Sequence, residues 1–248
     1  MNYPAGHPAP ALRLLGALGG AALASGAMGW RSRPQWALHC WARRLLRRLG
    51  VEATLAAPVP EGGQLWVSNH LSWLDPVVFL SLRPSGALAK AEVAAYPLIG
   101  SGARKAGLRF VDRDSLFSRA AALKTLRRDL RGGLPFLLFP EGTTTAGDLA
   151  PLREGGLRMA YRLGIPVLPF RLAGADPHYP WVGDATLLPH LQGLARARRT
   201  RITVLPGEVL EPAAFASEDG FVDSIRRHLN GDCCPFPPGP GRGPVARG

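Results

Sequence analysis

Gln64-Leu65-Trp66-Val67-Ser68-Asn69-His70-Leu71-Ser72-Trp73-Leu74-Asp75-Pro76 is the stretch from which the rest of the chain can be read. Its first five residues form an apolar run suited to a buried strand. A polar turn follows and opens a helix that begins near Ser72 and continues through Pro76–Leu82. A strand, a turn and a helix in succession put Asn69 and His70 at the carboxyl edge of a sheet, where α/β folds bind ligands. His70 and Asp75 are five residues apart, and on one regular helix they would point about 140° apart. They can meet only if His70 lies in the turn and Asp75 in the first helical turn. Ser72 and Asp75 form an S-x-x-D pattern that suits a helix cap. In that geometry Asp75 accepts a hydrogen bond from one ring nitrogen of His70 and leaves the other free as a base, the orienting role of a triad carboxylate. Taken alone, the same spacing also fits a cap aspartate beside an ordinary turn histidine, so the neighbouring segments have to discriminate.

Outward from this stretch, short strands alternate with helices. Ala87–Lys90, Leu108–Val111, Leu134–Phe139, Val167–Leu172 and Arg201–Leu205 read as strands. Ser115–Gly132 is an amphipathic helix, with Leu116, Ala120, Leu123, Leu126 and Leu130 on one side and basic residues opposite. Leu152–Leu163 is a helix stopped by Gly164 and Pro166, and Phe221–Leu229 is the last helix. This alternation predicts an α/β fold with a mostly parallel central sheet flanked by helices. No internal repeat is visible.

Two further loops carry chemistry. Phe139-Pro140-Glu141-Gly142-Thr143-Thr144-Thr145 follows the most apolar strand. A carboxylate and a glycine there let backbone approach a polar ligand closely, although a solvent-facing carboxylate would look the same. Gly107-Leu108-Arg109-Phe110-Val111-Asp112-Arg113-Asp114-Ser115 ends a strand in a polar turn, where Arg113 suits a phosphate. An ion pair of Arg113 with Asp112 or Asp114 is the equal alternative.

The 248 residues suffice for one α/β domain and a short accessory segment, and the net charge of +12 asks for an anionic partner. The amino-terminal 50 residues read as that accessory segment. Residues 1–10 are Pro/Ala-rich and expected to be disordered. Residues 14–30 are uncharged between Arg13 and Arg31, close to the roughly 20 apolar residues a spanning helix needs. They read as a membrane-embedded or re-entrant helix, as a signal peptide, or as a helix packed on the domain. In Gln35–Leu49, Leu38, Trp41, Leu45 and Leu49 recur at helical spacing, as do Trp36, Cys40, Arg43, Arg44 and Arg47. One face is apolar and the other cationic, which suits either an anionic membrane interface or packing on the domain. The uncharged run upstream favours the membrane. Residues 231–248, rich in Pro and Gly, are expected to be a disordered tail.

In this order the blocks resemble the glycerolipid acyltransferase superfamily, especially the bacterial 1-acylglycerol-3-phosphate acyltransferases. Asn69-His70 with Asp75 resembles the family's histidine–aspartate block. Phe110 to Arg113 resembles its second block, Phe139 to Thr143 its third, and Ile165-Pro166-Val167-Leu168-Pro169 its proline-bearing fourth. Lys90-Ala91-Glu92-Val93 looks like the Lys-x-Glu element before the second block. The likeness runs from about residue 36 to residue 210. It implies a catalytic domain over residues 51–230, His70 and Asp75 as catalytic residues, and Arg113, Glu141, Gly142, Thr143 and Lys90 as substrate-binding residues.

The implied reaction moves a fatty acyl chain from acyl-CoA or acyl carrier protein to the sn-2 hydroxyl of 1-acyl-sn-glycerol 3-phosphate, giving phosphatidic acid, with no cofactor or metal. The implied site of action is the cytoplasmic side of a bacterial inner membrane. Many members carry Arg after Phe-Pro-Glu-Gly-Thr, where it is thought to grip the phosphate. This chain has Thr144, so a phosphate anchor is either missing or supplied elsewhere, by Arg113, Arg153 or Lys105. Threonine-rich third blocks are similar to those of lyso-ornithine-lipid acyltransferases, the nearest alternative.

Mechanistically, a neutral histidine, which titrates near pH 6.5 when unperturbed, can deprotonate the acceptor hydroxyl. Backbone N–H groups at the helix start after His70 are the expected oxyanion donors. No G-x-S-x-G elbow exists for a serine acyl-enzyme, and no H-E-x-x-H for a metallohydrolase. Cys40, Cys233 and Cys234 form no C-x-x-C pair. No nucleic-acid-binding signature is present. A non-catalytic membrane-surface protein is the reading from another class, and it leaves His70, Asp75 and Glu141 without a purpose.

Overall fold

The computed structural model describes residues 34–90, 109–111, 116–183, 189–190, 193–194, 197 and 199–232. The elements run α1 (Pro34–Leu49), β1 (Val51–Leu55), β2 (Leu65–Ser68), α2 (Asp75–Leu82), β3 (Gly86–Lys90), β4 (Arg109–Val111), α3 (Leu116–Arg131), β5 (Phe136–Leu138), α4 (Gly155–Arg162), β6 (Val167–Ala173), β7 (Thr200–Pro206) and α5 (Glu218–Asn230). A 3₁₀ turn at Pro212–Ala214 precedes α5. The expectations for residues 1–10 and 14–30, for Glu92 and Lys105, for Arg113 and its flanking aspartates, and for the tail beyond Asp232 lie outside these residues.

Seven strands form one sheet in the order β1-β7-β6-β2-β5-β3-β4. Neighbours are parallel except for β6 and β7, so the expected mostly parallel sheet with flanking helices is what the chain builds. β2 lies at the centre: Leu65 is in register with Phe136 on one side and with Val167 on the other. All four β2 residues are buried, as an apolar run demands when both sheet faces are covered. β1 was not expected. It is an edge strand paired with β7 from Val51↔Thr200 to Leu55↔Val204, and its partly exposed Val-Glu-Ala-Thr-Leu run carries little apolar signal.

Alternation along the strands divides the core. Trp66, Leu137, Leu168, Phe170 and Leu172 face α1 and α2, meeting Leu38, Ala42, Leu45 and Leu46 of α1 and Val77 to Leu80 of α2. Leu65, Val67, Phe136 and Val167 face the opposite side, against Leu126 of α3, Leu157 and Ala160 of α4, and Phe221, Val222, Ile225 and Leu229 of α5.

This arrangement corrects one expectation. The apolar stripe of α1 does not look toward a bilayer, because Leu38, Leu45 and Leu49 are buried in the domain and Trp41 packs partly buried against the same cluster. Burial of that stripe stabilises the fold by about 1.5–3 kcal/mol for each large side chain. What α1 leaves exposed is Trp36, Arg43, Arg47 and Arg48. Among the described residues, no helix is long and apolar enough to cross a membrane.

Helix α2 starts at Asp75 rather than near Ser72, with Leu74 at the cap position and making no side-chain cap bond. Because β6, β2, β5, β3 and β4 all run the same way, the loops after β6, β2 and β5 emerge together at one sheet edge.

Candidate active site

The turn after β2 is built around a buried carboxylate. Asp75 Oδ2 accepts three hydrogen bonds: from the Leu71 backbone N–H at 2.6 Å, the Ser72 backbone N–H at 2.9 Å and His70 Nδ1 at 2.7 Å. Asp75 Oδ1 accepts from the Tyr179 hydroxyl at 2.8 Å. The Asp75 side chain is 0% exposed, whereas that of His70 is 18% exposed. A carboxylate so buried is tolerated only when its oxygens are saturated with donors. It also sets the histidine tautomer: an acceptor at Nδ1 puts the proton there and leaves Nε2 with a free lone pair.

The S-x-x-D pattern therefore forms by only one of its two halves. The Asp75 carboxylate reaches back to the Ser72 N–H, but the Ser72 hydroxyl accepts from the Leu74 N–H at 3.3 Å instead of from a residue further on. A second correction follows for the oxyanion donors. The N–H groups of Leu71, Ser72, Leu74 and Asp75 are all bonded within the turn, so the expectation that the helix start supplies them fails at these positions.

The turn after β5 holds the histidine loop from its other side. Glu141 Oε1 accepts from the His70 backbone N–H at 2.6 Å, and Oε2 accepts from the Ala150 N–H at 2.8 Å. The side chain is buried. Burial pushes the Glu141 carboxyl above its ordinary value, a rise opposed by the two backbone bonds and by His70. Read from the sequence as a substrate contact, Glu141 is occupied in the structure with fixing His70. Gly142 adopts a φ of 69°, a left-handed conformation that favours glycine, and lets the chain turn directly behind Glu141. The Thr143 side chain is exposed beside it. Phe139 stacks on the His70 ring with centroids 4.2 Å apart and an interplanar angle of 17°. Thr145 N–H donates to the His70 carbonyl at 2.8 Å.

The loop after β6 is bonded to both of these turns. The Trp181 N–H donates to the Leu71 carbonyl at 2.8 Å, and the Thr144 hydroxyl donates to the Trp181 carbonyl. Trp73 Nε1–H donates to His190 Nδ1 at 2.9 Å, and His190 Nε2 lies 3.1 Å from the Tyr179 carbonyl. An indole nitrogen can only donate, so Nδ1 of His190 is unprotonated and Nε2 donates to Tyr179. Burial holds the His190 pKa below the ordinary histidine value. Asn69 ties the histidine loop to β6, its amide bonding both N–H and C=O of Leu172 at 2.7 and 3.1 Å.

Of the residues singled out in the sequence, His70, Asp75, Glu141, Gly142 and Thr143 converge here. Lys90 ends β3, which runs parallel to β5 toward the same sheet edge. Arg113 lies outside the described residues. Sequence reading missed Tyr179, Asn69 as a clamp, Phe139 as a ring partner, and His190. Only Asn69 and Phe139 were signalled, by sitting inside the two chemical blocks. Tyr179 and His190 are more than 100 residues from the loop they hold.

Comparison with known proteins places this geometry. A family model described as acyltransferase matches residues 50–173. The chain is similar to the lyso-ornithine lipid O-acyltransferase of Pseudomonas aeruginosa, at 36% identity over 79% of each chain. It is also similar to the 1-acyl-sn-glycerol-3-phosphate acyltransferase of Neisseria gonorrhoeae, at 30% identity over 72% of this chain and 74% of that one. Its fold resembles the crystal structure of the 1-acyl-sn-glycerophosphate (LPA) acyltransferase PlsC from Thermotoga maritima. That match has a TM-score of 0.62 at 19% identity and covers 89% of this chain and 91% of the other.

Proposed function

This chain belongs to the acyltransferase family, and from that premise we propose that His70 is the general base that activates the hydroxyl of a lysolipid for direct acyl transfer. One observation carries the assignment: His70 Nδ1 is bonded to the buried Asp75 carboxylate at 2.7 Å while the His70 side chain is still 18% exposed. The acceptor hydroxyl binds at Nε2. Its oxygen attacks the thioester carbonyl carbon of acyl-CoA or acyl carrier protein as its proton passes to Nε2. The tetrahedral intermediate then collapses, the C–S bond breaks, and the departing thiolate takes the proton back from the imidazolium. Asp75 keeps the tautomer correct and stabilises the imidazolium while it exists. No cofactor enters this scheme.

The acceptor we propose is lyso-ornithine lipid or a lysolipid like it, without a phosphate beside the hydroxyl. Thr144 stands where many relatives carry a phosphate-gripping arginine, and its hydroxyl is engaged with the Trp181 carbonyl. The similarity to the Pseudomonas aeruginosa protein points the same way. A second reading, acylation of 1-acyl-sn-glycerol 3-phosphate, is favoured by the neisserial relative and would require Arg113 or the exposed Arg153 to hold the phosphate.

We place the reaction at an anionic membrane, the cytoplasmic face of a bacterial inner membrane. The support is the net charge of +12 and the outward face of α1, where Trp36, Arg43 and Arg47 are exposed.

The test is an acceptor panel of lyso-ornithine lipid, lysophosphatidic acid and lysophosphatidylcholine with acyl-CoA or acyl carrier protein, read by product mass. Acylation of lyso-ornithine lipid ahead of the other two is expected, and the His70→Ala variant should lose it while keeping its fold. Turnover confined to lysophosphatidic acid would replace the first acceptor by the second. Full activity in His70→Ala would remove the general base.

A further inference from the structure

We infer that Tyr179 is a positioning residue of the acyl transfer, holding the Asp75 carboxylate so that Oδ2 stays aimed at His70; this inference rests on the base assignment proposed above. The two oxygens of Asp75 are engaged unequally. Oδ2 receives the three donors of its own loop, and Oδ1 receives the Tyr179 hydroxyl at 2.8 Å. A carboxylate pivots about its Cβ–Cγ bond, so donors gathered on one oxygen leave its plane poorly fixed. A donor on the other oxygen removes that freedom. Tyr179 is fully buried, and burial beside the carboxylate pushes its phenol well above the ordinary tyrosine value. The hydroxyl therefore keeps its proton and can only donate to Asp75.

The loop that carries Tyr179 is anchored on both sides of it. Gly174 turns out of β6 with φ 61°. The Asp176 N–H then donates to the Arg201 carbonyl at 3.1 Å, and the Tyr179 N–H to the Asp176 carbonyl at 2.8 Å. Beyond Tyr179, the Trp181 N–H is bonded to Leu71, and His190 holds the Tyr179 carbonyl while its other nitrogen takes the Trp73 indole. Leu71 and Trp73 belong to the loop between His70 and Asp75. The loop after β6 is thus registered on the catalytic loop at two points beside the phenol itself, Trp181 on Leu71 and His190 on Trp73, and the phenol arrives at Oδ1 as a consequence. An isolated structural tyrosine would need no such registration.

The titratable groups facing Asp75 are His70 from its own loop, Tyr179 from the loop after β6, and Glu141 from the turn after β5, whose charge is coupled to Asp75 and His70. Removing the phenol hydroxyl leaves more negative charge on the carboxylate. The carboxylate then binds the imidazolium more firmly and resists its deprotonation. Protonation of the pair becomes easier, so the acid limb of activity moves up in pH.

The experiment compares wild type, Tyr179→Phe, His70→Ala, and enzyme with 3,5-difluorotyrosine at position 179, assayed with acyl-CoA and the preferred lysolipid of the panel. For Tyr179→Phe we expect kcat to fall about tenfold, KM for the lysolipid to stay within about twofold, and the acid limb of kcat/KM against pH to rise by about half a unit. Fluorination makes the phenol a stronger donor and should move the same limb downward. This arm decides the matter if the phenylalanine variant does not fold. Unchanged kcat and limb in Tyr179→Phe, or limbs that do not move in opposite directions, overturn the inference. If His70→Ala retains activity, the base assignment is what fails, and the two failures are told apart.

Discussion

His70 is useful because three side chains restrain it, each in a different way. Asp75 holds the ring through Nδ1, Phe139 stacks on its face, and Glu141 holds its backbone N–H. The Glu141 contribution is the least visible from sequence and the easiest to test. Its two oxygens each accept one backbone N–H, from loops that follow different strands. A glutamine keeps the shape but offers one acceptor and one donor, so one buried N–H must face another donor. Such an unmet group costs about 1–3 kcal/mol. Glu141→Gln should therefore lower kcat about tenfold or more, with a smaller effect on thiol-ester affinity, and initial-rate kinetics will show it. A rise in KM with kcat unchanged would return Glu141 to the substrate-binding role read from its motif. Arg113, given that role by the same likeness, is checked by whether its alanine variant weakens binding of a phosphorylated acceptor alone.

At the scale of elements, α1 has two jobs on two faces. Its inner stripe completes the core over the β2–β6 face of the sheet, while Trp36, Arg43 and Arg47 face outward. The faces should be separable. Leu46→Ala removes a side chain that is 4% exposed and should destabilise the domain by about 2–5 kcal/mol, measured by urea unfolding. Arg43→Glu with Arg47→Glu alters only exposed positions and should leave unfolding nearly unchanged while reducing sedimentation with anionic liposomes. If the charge reversals spare liposome binding, the outward face of α1 is not the membrane contact. At the other end of the fold, Ser217 caps α5 by accepting from the Gly220 N–H at 3.1 Å. Gly231 closes that helix with φ 92°. Both are local signals a sequence carries openly.

The whole molecule has a pH dependence whose sign follows from burial. His190 and His228 are both held below the ordinary histidine value of 6.5, chiefly by desolvation. Folding therefore favours their neutral forms. The stability they contribute is complete above about pH 6.5 and is lost as pH falls through their depressed values. Glu141 has the opposite sign: its carboxyl is raised above 4.5, again by burial, so its contribution is present below that value and is lost as pH rises through the raised one. Between pH 7.5 and 5.5 the histidines dominate, and the denaturant midpoint should fall. Replacing both by glutamine, which at position 190 can accept from Trp73 and donate to Tyr179, should flatten the fall. An equally steep fall in that double variant would show that other groups set the acid limit.

Much of this architecture lies in local pattern. The apolar runs at 65–68, 136–138 and 167–172 and the amphipathic repeat at 116–131 identify strands and a helix wherever they occur, because burial on two faces or on one stripe imposes its own period. The pairing of His70 with Asp75 was also legible, since both residues belong to one short turn whose geometry the chain itself restricts. What escaped was whatever depended on distant segments meeting. The edge strand Val51–Leu55 is defined by the partner it pairs with, the burial of the α1 stripe by the sheet beneath it, and the task of Glu141 by two N–H groups from different loops. Tyr179 and His190 reach the site from a loop that follows another strand. Local sequence constrains backbone period and turn chemistry, which act over a few residues. Which donor satisfies a buried carboxylate is decided only when parallel strands bring their carboxyl ends to one edge, where water is excluded and every polar atom must find a partner in the fold.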